Sequence, residues 1–187
     1  MAANYTDLMI QQTQERSWIK DLFVVLGASV IIALFAPISV YLPFTPVPIA
    51  TQGHVILFLA ALLGSKRGSL AVLTFLFQGM IGFPVFSGGL GGIARLAGPT
   101  GGFLLGYVAA AFITGYLIER MRNRTASNVF GAMGIGNAVL YVCGLPWLAS
   151  FLGWKSAIVL GMLPFLLGDL LKLIAATRTL KGLRFFS

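Results

Sequence analysis

The chain has 187 residues, of which 58% are hydrophobic and only 10% are charged, and its mean hydropathy is +0.92. A soluble domain of this size needs far more polar surface to cover its core, so the composition indicates a polytopic membrane protein. The net charge of +8 does not indicate a nucleic-acid partner, because the basic residues lie between apolar runs without interleaved aromatic residues.

The apolar runs predict an all-α protein, a single domain over residues 1–187 built from six transmembrane helices, since a helix needs about 20 mostly apolar residues to cross a bilayer. A polar segment at residues 1–17 could form a surface helix. Pro146 interrupts the fifth span, Pro164 lies inside the sixth, and residues 147–154 could form an interfacial segment. The predicted spans are residues 22–41, 49–63, 69–81, 102–118, 128–145 and 156–179.

The basic residues predict the orientation. With the N-terminus in the cytoplasm, ten of the thirteen Lys and Arg residues fall on the cytoplasmic side, Arg95 and Lys155 fall outside, and Lys172 stays within the last span. Lys and Arg concentrate in the cytoplasmic connections of membrane proteins. Both termini are therefore predicted to be cytoplasmic.

Two irregular segments then share the external face. Residues 42–48 contain three prolines, and residues 83–102 are glycine-rich and apolar with Arg95 at their centre. Irregular backbone at a bilayer is tolerated where protein buries it or where it borders a cavity. We expect both segments to form a lid over a small-molecule pocket open to the outside; the alternative is that they are simple connectors.

Asp169 and Lys172 are ionisable residues inside an apolar span, three positions apart and hence on one helical face. Such residues are costly in a bilayer and usually face the bundle interior. They are either ligand-binding groups or a structural ion pair. Pro164, Gly161 and Gly168 favour the ligand, since they leave that side of the helix uncrowded.

Other polar and aromatic residues near the spans have two interpretations each. Gln52, Gln78 and Asn137 could donate to a bound carbonyl or bond to neighbouring helices. The single histidine, His54, has no second His or Cys for a metal site and is expected at a pocket rim or in packing. The aromatic candidates for apolar pocket walls, although aromatic residues at helical spacing are more often packing residues, are Phe83, Phe86, Phe103 and Tyr107.

Several functional classes are excluded or disfavoured. The glycines at residues 88–92 follow no strand and precede no Gly-Lys-Ser/Thr, so no nucleotide-binding motif is indicated. No catalytic triad, paired glutamates or metal cluster is present, and we expect neither an enzyme nor a cofactor. Cys143 is alone and cannot form an intramolecular disulfide.

Ser29 and Ala33, four residues apart, could let a partner helix approach closely or could pack internally.

Several motifs, in order, resemble the BioY family of biotin-specific substrate-binding components of energy-coupling-factor vitamin transporters. They are PFTPVPI at residues 43–49, LLGSKRGSLAVL at 62–73, GFPVFSGG at 82–89, GPTGGFLLGY at 98–107 and GDLLK at 168–172. The resemblance implies a six-helix protein of the cytoplasmic membrane that captures biotin from outside. It also implies partners, namely a transmembrane scaffold (T) component and two cytoplasmic ATPases.

The resemblance implies site residues as well. Arg95 matches the basic residue of the glycine-rich loop, and Asp169 and Lys172 match the charged pair of the last helix. Residues 98–102 match the glycine-proline-threonine turn and add Thr100 and Gly101 to the candidates. Two departures are Phe103, where the family leads us to expect tyrosine, and the Ser29/Ala33 contact, which is alanine-rich in the family.

The chemistry of biotin suits these residues. Asp169 can accept a hydrogen bond from a ureido N–H, while Gln52 or Asn137 can donate to the ureido oxygen. Arg95 or Lys172 can pair with the carboxylate, and Arg95 has the better fork geometry. The alternatives are a binding component for another small vitamin, which a competition panel would reveal, and a stand-alone transporter, channel or intramembrane enzyme. A channel would show ion flux without saturable binding.

Overall fold

The computed structural model describes residues 5–40 and 43–182. The first residues of the predicted polar segment, residues 41–42 and the basic tail after residue 182 lie outside the described residues. The elements in chain order are α1 (Tyr5–Phe35), β1 (Ser39–Val40), β2 (Ile49–Ala50), α2 (Gln52–Met80), α3 (Ala94–Ala97), α4 (Gly101–Glu119), α5 (Ala126–Leu152), α6 (Trp154–Gly161) and α7 (Leu163–Gly182).

Within the described part of the chain, five helical stretches are long and apolar enough to cross a membrane: Trp18–Phe35, Gln52–Met80, Gly101–Glu119, Ala126–Leu152 and Trp154–Leu180. Their outward faces are apolar, as Phe23, Val142 and Leu167 illustrate, each with 71% of its surface exposed. Exposing so much apolar surface to water would be unfavourable, whereas lipid solvates it. This arrangement confirms the predicted helical, multi-pass membrane protein.

Helix α2 consists of two arms joined at Gly64, which has φ 82° and ψ −179°. Glycine adopts this positive φ readily, whereas other residues do so rarely. A Cβ added to Gly68 would lie 3.0 Å from the Cα of Ala60, although eight residues of continuous helix would separate them by about 12 Å. Beyond the far end of α2, the Ser87 hydroxyl donates to Gln52 Oε1. The chain therefore turns back at Gly64, and both ends of α2 lie on the same side.

Glu119, at the end of α4, holds this turn. Its Oε1 accepts from the Ser65 backbone N–H at 2.8 Å, and its Oε2 accepts from the Ser65 hydroxyl at 2.7 Å. The first N–H groups of a helix lack intrahelical partners, and the helix dipole favours an acidic group beside them. Gly115 permits the close approach, because a Cβ there would lie 2.4 Å from the Ser65 nitrogen. The second arm of α2 is thus capped by a neighbouring helix.

The buried apolar side chains of the described residues form three clusters. One joins α1, α2 and α4 around Ile32 and Phe75, and another joins α2, α4, α5 and α7 around Met133 and Leu180. The third is small and packs Val47 of the proline-rich segment against α5, α6 and α7. The third cluster therefore holds the proline-rich segment against these three helices.

The two segments predicted to be irregular are ordered by packing. The residues around the prolines form an antiparallel hairpin in which Ser39 pairs with Ala50 and Val40 with Ile49. Thr45 ties this hairpin to α6, since its hydroxyl donates to the Leu160 carbonyl oxygen at 2.7 Å. In the glycine-rich segment, an isolated antiparallel β-bridge between Phe86 and Leu90 is followed by the short helix α3.

Several element boundaries differ from the sequence prediction. Helix α1 begins at Tyr5 rather than at residue 22, and α5 continues through Pro146 to Leu152. A proline inside a helix removes a backbone hydrogen bond and is normally disruptive. Here the helix continues because Trp147 Nε1 donates to the Gly98 carbonyl oxygen at 2.9 Å and Leu148 is completely buried. The predicted sixth span is divided at Met162, just before Pro164.

We expect Glu119→Ala to lower the free energy of unfolding by about 1–2 kcal/mol, because the Ser65 N–H and hydroxyl would lose their acceptors. The measurement is the thermal unfolding midpoint in detergent. Asp21→Asn is the matched control, because its carboxylate pairs with Arg67 at an exposed site and should contribute less than about 0.5 kcal/mol. Ser65→Ala added to Glu119→Ala should cause little further loss, so full additivity of the two effects would contradict this prediction.

Candidate functional site

A cavity lies beneath the hairpin, between α2, α4, α5 and the α6–α7 pair. It holds about 610 Å³ of space, including its open mouth. Its lining residues are Val47, Pro48, Ala50, Gly53, His54, Ser87, Phe103, Tyr107, Asn137, Leu140, Tyr141, Gly161, Phe165, Asp169 and Lys172. We call this the main cavity.

Asp169 is the most densely contacted polar group of the main cavity. Its Oδ2 accepts hydrogen bonds from Asn137 Nδ2 at 3.2 Å and from the Tyr141 hydroxyl. On its other side, His54 Nε2 lies 3.6 Å from Oδ1, which is longer than an ordinary hydrogen bond. One carboxylate oxygen is therefore used by the protein, and the other remains available as an acceptor facing the cavity.

Lys172 connects the last helix to the hairpin. Its Nζ donates to the Ala50 carbonyl oxygen at 3.1 Å, and Ala50 is the β2 residue paired with Ser39. An ammonium has three donors, so this bond leaves further N–H groups for a ligand. Lys172 is one helical turn from Asp169, and both line the main cavity. The arrangement places a cation and an anion on one wall.

The remaining walls are largely aromatic. Phe103 meets Tyr141 edge to face, with 6.4 Å between ring centroids and 87° between ring planes. The Phe103 ring packs over Gly144, where an added Cβ would lie 2.3 Å from the ring. Tyr107 packs against Gly53 in the same way. Such walls suit an apolar, ring-containing ligand, and small-molecule sites are typically apolar with a few placed polar groups.

A smaller cavity of about 360 Å³ adjoins the main one and shares Pro48 and Ser87 with it. We call it the outer cavity. Its lining residues are Pro46, Pro48, Phe86, Ser87, Arg95, Thr100 and Leu104. Arg95 belongs to the short α3 and its side chain is exposed. A guanidinium thus lies at the surface in the cavity next to the main one.

The sequence-predicted residues divide between these cavities. Asp169, Lys172, Asn137, Phe103 and Tyr107 line the main cavity. Arg95, Phe86 and Thr100 line the outer one. The two groups are adjacent because the cavities share residues.

Other candidates lie elsewhere. Gln52 is completely buried and accepts from Ser87 beside the main cavity, without lining it. Gln78 Nε2 donates to the hydroxyl of Ser29, which is also completely buried. Gly101 packs closely against the Leu96 carbonyl. Gln78 lines an apolar groove beside α1 together with Ala33 and Phe83.

Several residues of the main cavity are not among the candidates predicted from the sequence. Tyr141 follows Asn137 by four residues in α5, and Phe165 precedes Asp169 by four in α7. Residues four apart share a helical face, so this spacing was a usable signal. His54 was expected at a rim or in packing, and it lies within the cavity wall beside Asp169.

Taken together, the site can hold a small molecule with two unlike polar ends. The main cavity offers a carboxylate, an ammonium, an amide and aromatic walls, which suit a ring with N–H donors and a carbonyl. The outer cavity offers a guanidinium, which suits a carboxylate. Among the described residues, no group of three His, Cys, Asp or Glu side chains could hold a metal ion.

Comparison with known proteins gives consistent results. The family model of the BioY family matches residues 7–186. The chain is 42% identical over 160 residues to the biotin transporter BioY of Rhizobium etli, a match covering 81% of this chain and 85% of that protein. It is 37% identical over 136 residues to the biotin transporter BioY of Thermotoga maritima, covering 72% of this chain and 79% of that protein.

A solved structure agrees with the sequence comparisons. The crystal structure of the S-component for biotin from an ECF-type ABC transporter superposes with a TM-score of 0.82 at 26% identity. The superposition covers 92% of this chain and 94% of that one. Because the family match spans nearly the whole chain and the fold agrees over the same extent, the chain belongs to the BioY family.

Proposed function

We propose that this chain is the biotin-binding component of an energy-coupling-factor transporter, capturing biotin from the external side with high affinity for uptake across the cytoplasmic membrane. BioY proteins are transporter S-components rather than enzymes. The observation that carries the proposal is the main cavity, where Asp169, Lys172 and Asn137 meet beneath the hairpin. Biotin is the transported ligand and serves no cofactor role.

The proposed topology has six membrane passages with both termini in the cytoplasm. The turn at Gly64 supports this count, because it divides α2 into two passages of opposite direction. The hairpin and the glycine-rich segment then share the external side with the main cavity. Lys66, Arg67 and the basic residues after α4 fall on the cytoplasmic side, as the distribution of basic residues in membrane proteins favours.

In the proposed binding mode, the ureido ring of biotin occupies the main cavity and its valerate tail reaches the outer cavity. The free Oδ1 of Asp169 accepts a ureido N–H, and Phe103, Tyr107 and Tyr141 surround the fused rings. Arg95 takes the carboxylate, because it lies in the outer cavity while Lys172 is bonded to Ala50 deeper inside. These positions support Arg95 rather than Lys172 as the partner of the carboxylate.

The proposed partners are a transmembrane scaffold (T) component and two cytoplasmic ATPases. The support is the likeness to the S-component of an ECF-type ABC transporter. The scaffold contact at Ser29 and Ala33 stays a prediction.

Asp169→Ala and Lys172→Ala should each weaken biotin binding tenfold or more, about 1.4 kcal/mol. The first substitution removes the acceptor for the ureido N–H. The second removes the cation beside that acceptor and the hydrogen bond from Lys172 to the Ala50 carbonyl oxygen of the hairpin. Calorimetry on the detergent-purified protein measures the effect, with Lys155→Ala, an exposed external lysine, as the control. Wild-type affinity in both variants would remove them from the site, and displacement of biotin by a different vitamin would favour another substrate.

Arg95→Gln should weaken biotin binding about tenfold while leaving the affinity for biotinamide unchanged, because only the acid carries the charge that the guanidinium pairs with. Titration of wild type and variant with both ligands gives the comparison. An equal loss for the two ligands would assign Arg95 a role in lid structure instead of carboxylate recognition.

The topology predicts opposite accessibility for two introduced cysteines. In a Cys143→Ala background, Ala97→Cys should react with a membrane-impermeant thiol reagent added to intact cells, because it lies on the external segment. Asn123→Cys should react only after the membrane is permeabilised. Both positions are exposed, so access to each depends on its side of the membrane. Labelling of Asn123→Cys in intact cells would contradict the proposed orientation.

A further inference from the structure

His54 is a buried polar side chain without a hydrogen-bonding partner. It lies in the first turn of α2 with 6% of its surface exposed, and neither ring nitrogen has a partner among the described residues. Leaving a buried donor or acceptor unpaired costs about 1–3 kcal/mol. Since the imidazole lines the main cavity, the group that satisfies it has to come from the contents of that cavity.

The position of His54 beside Asp169 determines which ring nitrogen carries the proton. Nε2 lies 3.6 Å from Oδ1, while Oδ2 is already bonded to Asn137 and Tyr141. A lone pair on Nε2 would be repelled by the carboxylate oxygen, so the neutral ring is protonated there. The cavity therefore presents an acceptor, Oδ1, directly beside a donor, Nε2–H.

This acceptor–donor pair matches one edge of a cyclic urea. On that edge an N–H lies next to the carbonyl oxygen, in the complementary order. The separation of 3.6 Å between Oδ1 and Nε2 is too long for a good bond between them but lets both reach the same edge, each over the usual distance of about 2.9 Å. The ligand would thus satisfy both groups at once.

Two of the polar side chains that share the cavity with His54 already donate to protein acceptors, and a third amide lies away from it. Asn137 Nδ2 donates to Asp169, and Lys172 Nζ donates to Ala50. The Gln52 amide does not line the main cavity. Of these three side chains that line the cavity, Asn137 and Lys172 each already donate to one protein acceptor, whereas both ring nitrogens of His54 are without a partner among the described residues.

We propose that His54 is a further substrate-contacting residue: its Nε2–H donates to the ureido oxygen of the ligand while Asp169 Oδ1 accepts the adjacent N–H. The inference rests on the proposed function, because it takes biotin as the ligand. It extends that function by assigning the recognition of the ureido oxygen to a histidine.

The test combines a variant with a changed ligand. His54→Phe keeps a ring of similar size but removes the donor, and the thiocarbonyl analogue of biotin replaces the ureido oxygen by sulfur, a poor acceptor. Calorimetry should show a loss of about tenfold for biotin in the variant, corresponding to one hydrogen bond. For the thiocarbonyl analogue the loss should be within about twofold, since in a mutant–ligand cycle only the shared interaction is non-additive.

Thr114→Val is the matched control. Thr114 also has a buried hydroxyl without a partner among the described residues, but it does not line the cavity, so biotin affinity should not change. His54→Gln keeps a donor near the position of Nε2 and should recover part of the affinity. Equal losses for biotin and its thiocarbonyl analogue in His54→Phe, or no loss for either, would overturn the proposal.

A second measurement uses the unaltered protein. The chain contains a single histidine, so 15N-histidine labelling, with a purification tag free of histidine, gives one imidazole signal. Saturating biotin should shift the Nε2 resonance of a neutral ring, and unchanged imidazole resonances would refute the contact. Wild-type protein that fails to bind biotin would contradict the proposed function itself, whereas binding that depends on Asp169 but not on His54 would contradict this inference alone.

Discussion

A carboxylate inside a membrane bundle is the constraint on which this structure depends. Asp169 lies in α7, and an ionised group at such a depth is costly unless polar partners surround it. Asn137 and Tyr141 from α5 donate to it, and Lys172 places a positive charge one turn away. These partners fix the facing surfaces of α5 and α7. Because they satisfy only one of the two carboxylate oxygens, the other remains an acceptor for a ligand.

The course of the backbone shapes the cavity around Asp169. The turn at Gly64 brings both ends of α2 to one side, so that Gln52 and Ser87 meet there. Thr45 binds α6, and Lys172 binds the Ala50 carbonyl, which holds the hairpin over the cavity. The hairpin segment is therefore attached by these hydrogen bonds together with the apolar packing of Val47.

The separation of unlike charges along the cavity suits biotin, whose ureido ring and carboxylate lie at opposite ends of the molecule. The deep part of the site combines Asp169, Lys172 and His54 with aromatic walls, and Arg95 stands nearer the surface in the outer cavity. In the proposed binding mode, the carboxylate of the ligand pairs with the guanidinium and its ring contacts Asp169. Recognition of two distant groups rejects molecules that carry only one of them, because a buried polar partner would then remain unpaired.

The sequence by itself determined the membrane class, the helical architecture and the candidate charges Arg95, Asp169 and Lys172. Hydropathy, proline and glycine content, and charge placement are local properties, so they can be read along the chain. The extent of α5 through Pro146 could not be read in this way, since it depends on the Trp147 bond to Gly98 and on the burial of Leu148. The site required the tertiary structure for the same reason. Only packing separates Gln52 from the main cavity and brings His54 within 3.6 Å of Asp169, because the positions 54 and 169 belong to helices that the sequence does not pair.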